Sequence, residues 1–501
     1  MNGGSGRRLA VRGDDTTAPA EGVTDSGDAG GLLTPSALLG AAVAVVLVLP
    51  WSLRTSPAHA VLSALQVAVA GAGIARSTHP GLRPVALVTF VFTFAWLGIA
   101  PAYQLATGDA AWGDDAVLVG PYTTEALVLL VLATTTLYVA FFRPGRDRPV
   151  PAGHAEVDEP PRWVCAGYVL ACLVLTPGAV AAAGGVGGLF SSRSARGEAL
   201  GSAGISLAQS GGLAVALVGI LPGALATAAA YLTLIRVLAQ VRRSGWGDVD
   251  AVDAVLLAAG LALVVLFANP LVNTRALSAA ALGSLVLLVL RPRSGPAARW
   301  MAVALLMATL VAYPAANAFR GTTTNTAGPE GLEFLAGIDF DGFQQAINAL
   351  QYVDERGHSW GTYALSGVFY VVPRSIWADK ERPASIDVAE NRGYEFTNLS
   401  LPVHSELFVD FGTIGMVVAL ALLATAGRRC DLDWTRGART RWALAAPYAC
   451  LACLSIIRGP IGANAPVYLT NLGLIAVGLL LARRSVAPGD APVTGGGGPD
   501  R

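Results

Sequence analysis

The sequence predicts an all-α protein, a polytopic bundle of about 12 membrane helices with one long extracytoplasmic loop. Three observations predict it. Apolar residues make up 53% of the chain and charged residues 14%, which does not suit a set of water-soluble domains. The apolar residues, chiefly Ala, Val and Leu, gather in runs of roughly 17 to 25, the length that crosses about 30 Å of hydrocarbon as a helix. Arginines crowd the loops on one side of these runs and are sparser on the other. In lipid, every backbone N–H and C=O must find its partner within the segment, so such runs become helices.

Residues 1–31 are rich in Gly, Asp and Thr and read as a disordered cytoplasmic tail, not a cleavable signal peptide. A membrane domain over 32–485 follows. Its spans are expected near 33–53, 58–75, 84–106, 122–142, 163–183, 211–235, 253–273, 276–290, 300–317, 406–426, 441–457 and 467–482. Residues 486–501 read as a second disordered cytoplasmic tail. With the N-terminus inside, the inner loops hold Arg76, Arg83, Arg143, Arg146, Arg148, Arg162, Arg242, Arg243, Arg291, Arg293 and Arg299, then Arg428, Arg429, Arg436, Arg439 and Arg441. The short outer loops hold mostly Arg54, Arg193, Arg196, Arg275 and Arg458. This asymmetry predicts a multi-pass cell-membrane protein with both termini cytoplasmic.

Residues 318–405 form the long outer segment, and outward loops of that size usually carry function. Phe340, Phe343, Ile347 and Leu350 recur at helical spacing, with Asp339 or Asp341 as N-cap and Gly357 near the end. That spacing predicts an amphipathic helix lying on the bilayer or covering a cavity. A second apolar stretch, Tyr363 to Val372, ends at Pro373-Arg374 and predicts a half-embedded helix.

Several chemistries lack their residues. Lys and Arg balance Asp and Glu at 34 each, so nothing marks a nucleic-acid partner. Gly184-Gly185-Val186-Gly187-Gly188 has no Gly-Lys-Ser/Thr after it and is not a nucleotide loop. No His, Asp or Glu cluster has metal-ligand spacing, there is no nucleophile elbow, and no cofactor is expected. Cys165, Cys172, Cys450 and Cys453 lie in apolar runs and Cys430 in an expected inner loop. Cys450 and Cys453 read as small buried hydrophobes, not a metal or redox pair.

Two groups of residues remain. Arg275, Arg320, Arg374, Arg392 and Arg458 stand at or near span ends on the outer face. Guanidinium keeps its charge and offers a planar fork of donors suited to phosphate oxygens. The bland alternative is snorkelling to lipid headgroups. The second group is the stretch 401–415, where the long loop re-enters the membrane. His404 could act as a base, and Glu406 and Asp410, four apart, share a helix face. The alternative is that both carboxylates pair with nearby arginines and hold the loop in place. Gly412 and Gly415 are expected to let helices approach closely.

The run Pro373-Arg374-Ser375-Ile376-Trp377-Ala378-Asp379-Lys380 resembles the Pro-Arg-x-x-Trp-x-x-Lys signature of bacterial oligosaccharide repeat-unit polymerases, the O-antigen polymerase family. Glu406 through Phe411-Gly412 and Gly415 resembles that family's Glu-x-x-x-(Asn/Asp)-Phe-Gly-x-x-Gly entry into a late span. The chain departs from the family in having Glu381-Arg382-Pro383 after the lysine, where Pro often follows directly. The resemblance implies a glycosyltransferase that moves a growing glycan from polyprenyl diphosphate onto a lipid-linked repeat unit at the outer face of the cytoplasmic membrane. It implies Arg275, Arg320, Arg374 and Arg458 for the diphosphate and His404 or Glu406 for the acceptor hydroxyl, with Lys380, Arg392 and Asp410 as further candidates. It also implies a flippase and a chain-length regulator as partners. The rival readings are a ligase acting on the same carrier, a lipid-phosphosugar glycosyltransferase, and a flippase or transporter.

Overall fold

The computed structural model describes residues 32–144, 156–157, 159–191, 193–202, 215–312, 331–397, 399–482 and 484–485. In chain order, its principal helices begin with Pro35–Ser52 (α1), Pro57–Ser77 (α2), Pro84–Thr107 (α3), Thr123–Phe142 (α4), Arg162–Ala182 (α5) and Val215–Ser244 (α6). Ala251–Phe267 (α7), Arg275–Leu290 (α8) and Gly295–Val311 (α9) follow. The long loop holds Gly342–Arg356 (α10), Thr362–Val368 (α11) and Ala384–Arg392 (α12). Val403–Thr435 (α13), Arg441–Arg458 (α14) and Ile461–Leu481 (α15) complete the bundle. Among the described residues, the only sheet is a two-residue antiparallel pairing of Glu156–Val157 with Arg484–Ser485.

Among the described residues, eight helices, α1 to α6 with α13 and α15, are long and apolar enough to cross a membrane, while α7, α8 and α9 are shorter apolar helices. The molecule is thus a helical, membrane-embedded protein. Each expected span overlaps one helix, while the expected tails 1–31 and 486–501, the start of the expected 211–235 span, the end of the expected 300–317 span and Arg320 lie outside the described residues. The helices differ in what surrounds them. Within α3, 94% of the apolar window is buried, against 22% for α1. A helix that is apolar all round belongs inside a bundle or against lipid, and α3 and α6 take the inside places. Ala228, Ala229, Ala230, Tyr231 and Leu232 of α6 are fully buried, and the alanines let α7 close in until Gly260 meets the Ala230 backbone. Outward faces are also apolar: Ile414, Val418 and Leu422 form an exposed stripe along α13, as contact with lipid tails requires.

The α1–α2 pair is set by two glycines. A Cβ on Gly71 would lie 2.6 Å from the Gly40 carbonyl oxygen, and a Cβ on Gly40 would lie 2.5 Å from the Gly71 carbonyl oxygen. Small residues at such crossings let backbones touch. Gly71→Leu is therefore expected to force α1 and α2 apart, costing about 1–3 kcal/mol or more by overpacking. A fall in detergent-solubilised melting temperature checks it, and an unchanged melting temperature would refute the crossing.

One helix, α13, ties the bundle together through three carboxylates. The first backbone N–H groups of a helix have no partner within it, and in a poorly hydrated setting they need one. Glu406 accepts from Ile461 and from Gly462 (3.1 Å) at the start of α15. Asp410 accepts from Tyr363 (3.2 Å) and Ala364 (2.8 Å) at the start of α11, and from the Ser359 hydroxyl. Asp431 accepts from Val85 (2.8 Å) and Ala86 (3.0 Å) at the start of α3. The Asp431 contact, with Trp434 Nε1 donating to the Pro292 carbonyl at 3.0 Å, carries α13 well past the expected end of its span. Cys430 consequently lies buried in this helix, not in a loop. All five cysteines are free thiols.

Gly412 and Gly415 serve other ends than close helix approach, whereas Gly427 of α13 gives room to Phe141 of α4 and Val85 of α3. Gly412 takes φ 66°, where side chains are strained, and bends the helix two residues after Asp410. Gly415 leaves room for the Phe411 side chain, whose Cβ a Cβ at 415 would meet at 2.2 Å.

The long loop departs from one expectation. Helix α10 forms where the spacing places it, with Asp341 at its N-cap and Gly357 after its end, but it does not lie on the bilayer. Every residue from Gly342 to Leu350 is buried. Its apolar face, Phe343, Ala346 and Ile347, packs into the cluster around Trp96 and Leu97 of α3. Its polar face is satisfied inside the protein: Gln344 and Asn348 donate to the Tyr394 hydroxyl, and Gln344 accepts from the Trp112 N–H. The amphipathic pattern reports two protein-facing sides, one oily and one hydrogen-bonded. The stretch from Tyr363 is helical only to Val368 and then turns.

Candidate functional site in the long loop

The Pro-Arg-x-x-Trp-x-x-Lys run folds as a compact turn for local reasons. The Pro373 carbonyl accepts from both Ile376 N–H and Trp377 N–H, and the Trp377 carbonyl accepts from Lys380 N–H. Lys380 then reaches back: its ammonium donates to the carbonyls of Tyr370 (2.7 Å) and Val372 (3.1 Å). The side chain is buried, at 5% exposure, and burial, followed by the nearby Arg374 charge, lowers its pKa. Lys380 is thus the clasp of this turn. At the next residue, Glu381 N–H donates to the Ser366 hydroxyl at 3.0 Å, which pins the turn to α11.

What the clasp leaves open is a recess of about 490 Å³ lined by Arg374, Ala378, Asp379, Lys380, Glu381 and Arg382. Arg382 is committed to Glu390, by two bonds of 2.9 and 2.8 Å, and to Asp387. Asp387 also accepts from the Tyr363 hydroxyl at 2.8 Å. These contacts raise the Arg382 pKa, the Glu390 bonds contributing most. Arg374 differs. Among the described residues it makes no hydrogen bond and no ion pair, and its neighbours are Lys380 and Glu381. A half-buried guanidinium with free donors in a polar hollow is equipped to receive an anion.

The two motif segments meet beneath this recess. A Cβ on Gly462 would lie 3.2 Å from Pro383 Cα and 3.8 Å from Glu406 Oε1. The segment after the recess thus rests on the first turn of α15, which Glu406 caps. Glu406 is 1% exposed with both oxygens engaged, and Asp410 is 1% exposed with both oxygens engaged. Both carboxylates hold the loop in place, through helix N-termini and not through the arginines expected as partners. His404 is 2% exposed, and its Nε2 meets no hydrogen-bond partner among the described residues.

The outer arginines divide among separate settings. Arg392 bonds Asp114 at 2.7 Å and Gln351 at 2.8 Å, fastening the end of α12 to the segment between α3 and α4 and to α10. Arg458, at the end of α14, acts on Asp341, which also accepts from Trp112 Nε1 (3.2 Å) and from Ser400. Arg275 starts α8, which packs along α14 so that both arginines stand at one end of the pair. Arg196 donates to Asn273 at 3.2 Å beside the Arg275 turn. Among the described residues only Arg374 of the expected set lines the recess, with Lys380.

Sequence reasoning names Asp341 only as an N-cap, Tyr363 only as the start of an apolar stretch and Glu381 only as a departure after the lysine, and it does not reach Asp387. Only the polar positions of α10, buried beside an apolar face, carried a signal for Asp341. Burial raises the Asp341 pKa above its usual 3.8, and Arg458 offsets part of that rise. A raised folded value means that unfolding releases this proton, so Asp341 adds stability below the unfolded value and loses it as pH climbs through the folded one. Asp341→Asn is expected to flatten the decline of melting temperature with pH in that window. An unaltered pH profile would refute it.

Comparison with protein-family models, with curated proteins and with solved structures finds no match to this chain.

Proposed function

We propose that the chain is a polysaccharide polymerase of the cytoplasmic membrane, with about 12 spans and both termini inside. It transfers a growing glycan from polyprenyl diphosphate to the free hydroxyl of a lipid-linked repeat unit on the outer face. The observation that carries this reading is Arg374, an uncommitted guanidinium in an open polar recess, held there by the Lys380 clasp of the signature turn. As the glycosidic bond breaks, the departing diphosphate gains charge, and a fixed guanidinium stabilises that charge without reorganising. Arg382, bound to Asp387 and Glu390, forms a fixed wall. Glu406, Asp410 and Lys380 position this apparatus, and Arg275 and Arg458, which do not line the recess, are further groups for the lipid diphosphate. A ligase would use the same donor chemistry and differs in its acceptor.

The test is reconstitution. The full chain in liposomes is supplied with the lipid-linked oligosaccharide that accumulates in a strain lacking it. A ladder of products differing by one repeat unit supports the polymerase, and transfer of one preformed block to a different acceptor supports the ligase. Accumulation of no lipid-linked oligosaccharide in that strain overturns both.

A further inference from the structure

We infer that Glu381 is the general base of the proposed transfer, taking the proton from the acceptor hydroxyl while Arg374 receives the diphosphate. The inference rests on the polymerase reading and adds to it a residue that the signature does not contain.

A general base at the recess must be a carboxylate or imidazole with a free atom where a sugar can reach. Glu406 and Asp410 are buried and spent on backbone N–H groups. His404 is enclosed within α13 at 2% exposure. Asp387 is taken by Arg382 and Tyr363, and Glu390 by Arg382. The recess itself retains two carboxylates, Asp379 and Glu381, whose side chains make no hydrogen bond or ion pair among the described residues. Glu381 is the better placed. Both side chains are exposed, but the Glu381 N–H is held by Ser366, which fixes its backbone to α11, whereas the Asp379 N–H has no such bond among the described residues. A base must sit in hydrogen-bond reach of the hydroxyl with a fixed origin, and Glu381 has the fixed origin.

The surroundings also tune it. Partial desolvation and then the Asp387 carboxylate raise the Glu381 pKa, while Arg374 and Arg382 pull it down and Asp379 adds a smaller rise. Lys380, which stands between Arg374 and Glu381 in sequence, spends its ammonium on the Tyr370 and Val372 carbonyls. A base with a raised pKa is a better proton acceptor than an ordinary carboxylate, provided it is ionised at the working pH.

The step balances. The acceptor O–H bond breaks and its proton passes to a Glu381 oxygen. The acceptor oxygen forms a bond to the anomeric carbon of the donor glycan, and the bond from that carbon to the diphosphate oxygen breaks. The electron pair leaves on the diphosphate, which lies against Arg374. Glu381 then gives its proton to the departing diphosphate or to water.

The experiment uses full-length protein in phosphatidylethanolamine–phosphatidylglycerol liposomes, with accumulated lipid-linked oligosaccharide as substrate and fluorescent polyprenyl diphosphate as binding probe. Glu381→Gln is expected to keep probe affinity within about twofold and to lower the polymerisation rate about 100-fold or more. The rate should fall as pH drops through the raised Glu381 value, and Asp387→Asn should move that acidic limb to lower pH by removing a facing negative charge. A Glu381→Gln variant with more than a third of the parent rate, or an acidic limb indifferent to Asp387→Asn, overturns the base assignment. Equal losses of affinity and rate in Glu381→Gln make the residue a binding group and overturn it too. If the parent binds the probe no better than Arg374→Lys and makes no ladder, the polymerase reading itself fails.

Discussion

Arg374→Lys is expected to reduce polymer formation about 100-fold or more while leaving the amount of membrane-inserted protein unchanged. The asymmetry follows from the bonds Arg374 does not make. No described residue depends on its guanidinium for a hydrogen bond, so the turn keeps its shape through Pro373, Trp377 and Lys380 when that group is replaced. Lysine keeps the charge but loses the planar fork that grips two phosphate oxygens at once. Removing one well-placed donor from a developing anion typically costs about 2.7–4 kcal/mol, which is a rate factor of about 100 to 1,000. The ladder assay and a membrane immunoblot together check it. Full activity in Arg374→Lys would show that the recess does not hold the diphosphate, and equal loss of protein would show that Arg374 is structural after all.

Glu406 gives the second large effect, and here the two substitutions should differ. Glu406→Ala leaves the N–H groups of Ile461 and Gly462 buried without an acceptor. Each unmet group costs about 1–3 kcal/mol, enough together to deplete folded protein. Glu406→Gln keeps one carbonyl oxygen in place and should retain folding and a substantial part of the polymer yield. A residue that takes the acceptor's proton would behave otherwise: Gln would be as inactive as Ala, at normal protein levels. Thermal unfolding in detergent, read beside the ladder, separates the two roles.

Much of the fold is legible in the sequence because lipid imposes one rule, internal satisfaction of the backbone, and apolar runs of the right length obey it. The end of α13 is not legible. Its length past residue 426 depends on Asp431 meeting α3, a contact 346 positions away along the chain from Val85. The placement of α10 is hidden for a related reason. Periodicity distinguishes two faces of a helix, yet it is blind to whether the polar face meets water or meets Tyr394 and Trp112. At the site, the signature locates the turn, but the same type of residue can be clasp or free hand. Lys380 and Arg374 are both cations near a span end; only the direction of each side chain separates them. Glu381 follows the Pro-Arg-x-x-Trp-x-x-Lys run and carries no periodic signal of its own.

The carboxylates of α13 also bear on the order in which the protein can be completed. Helix α3 leaves the ribosome long before residue 431, so its first N–H groups enter the membrane region with their eventual acceptor still unmade. The same holds for α11, though its wait is shorter. The amino end of α3 is therefore fully bonded only once α13 has been made. A nascent chain halted before Asp431 should leave the amino end of α3 open to proteolysis, and one halted after α13 has inserted should shield it.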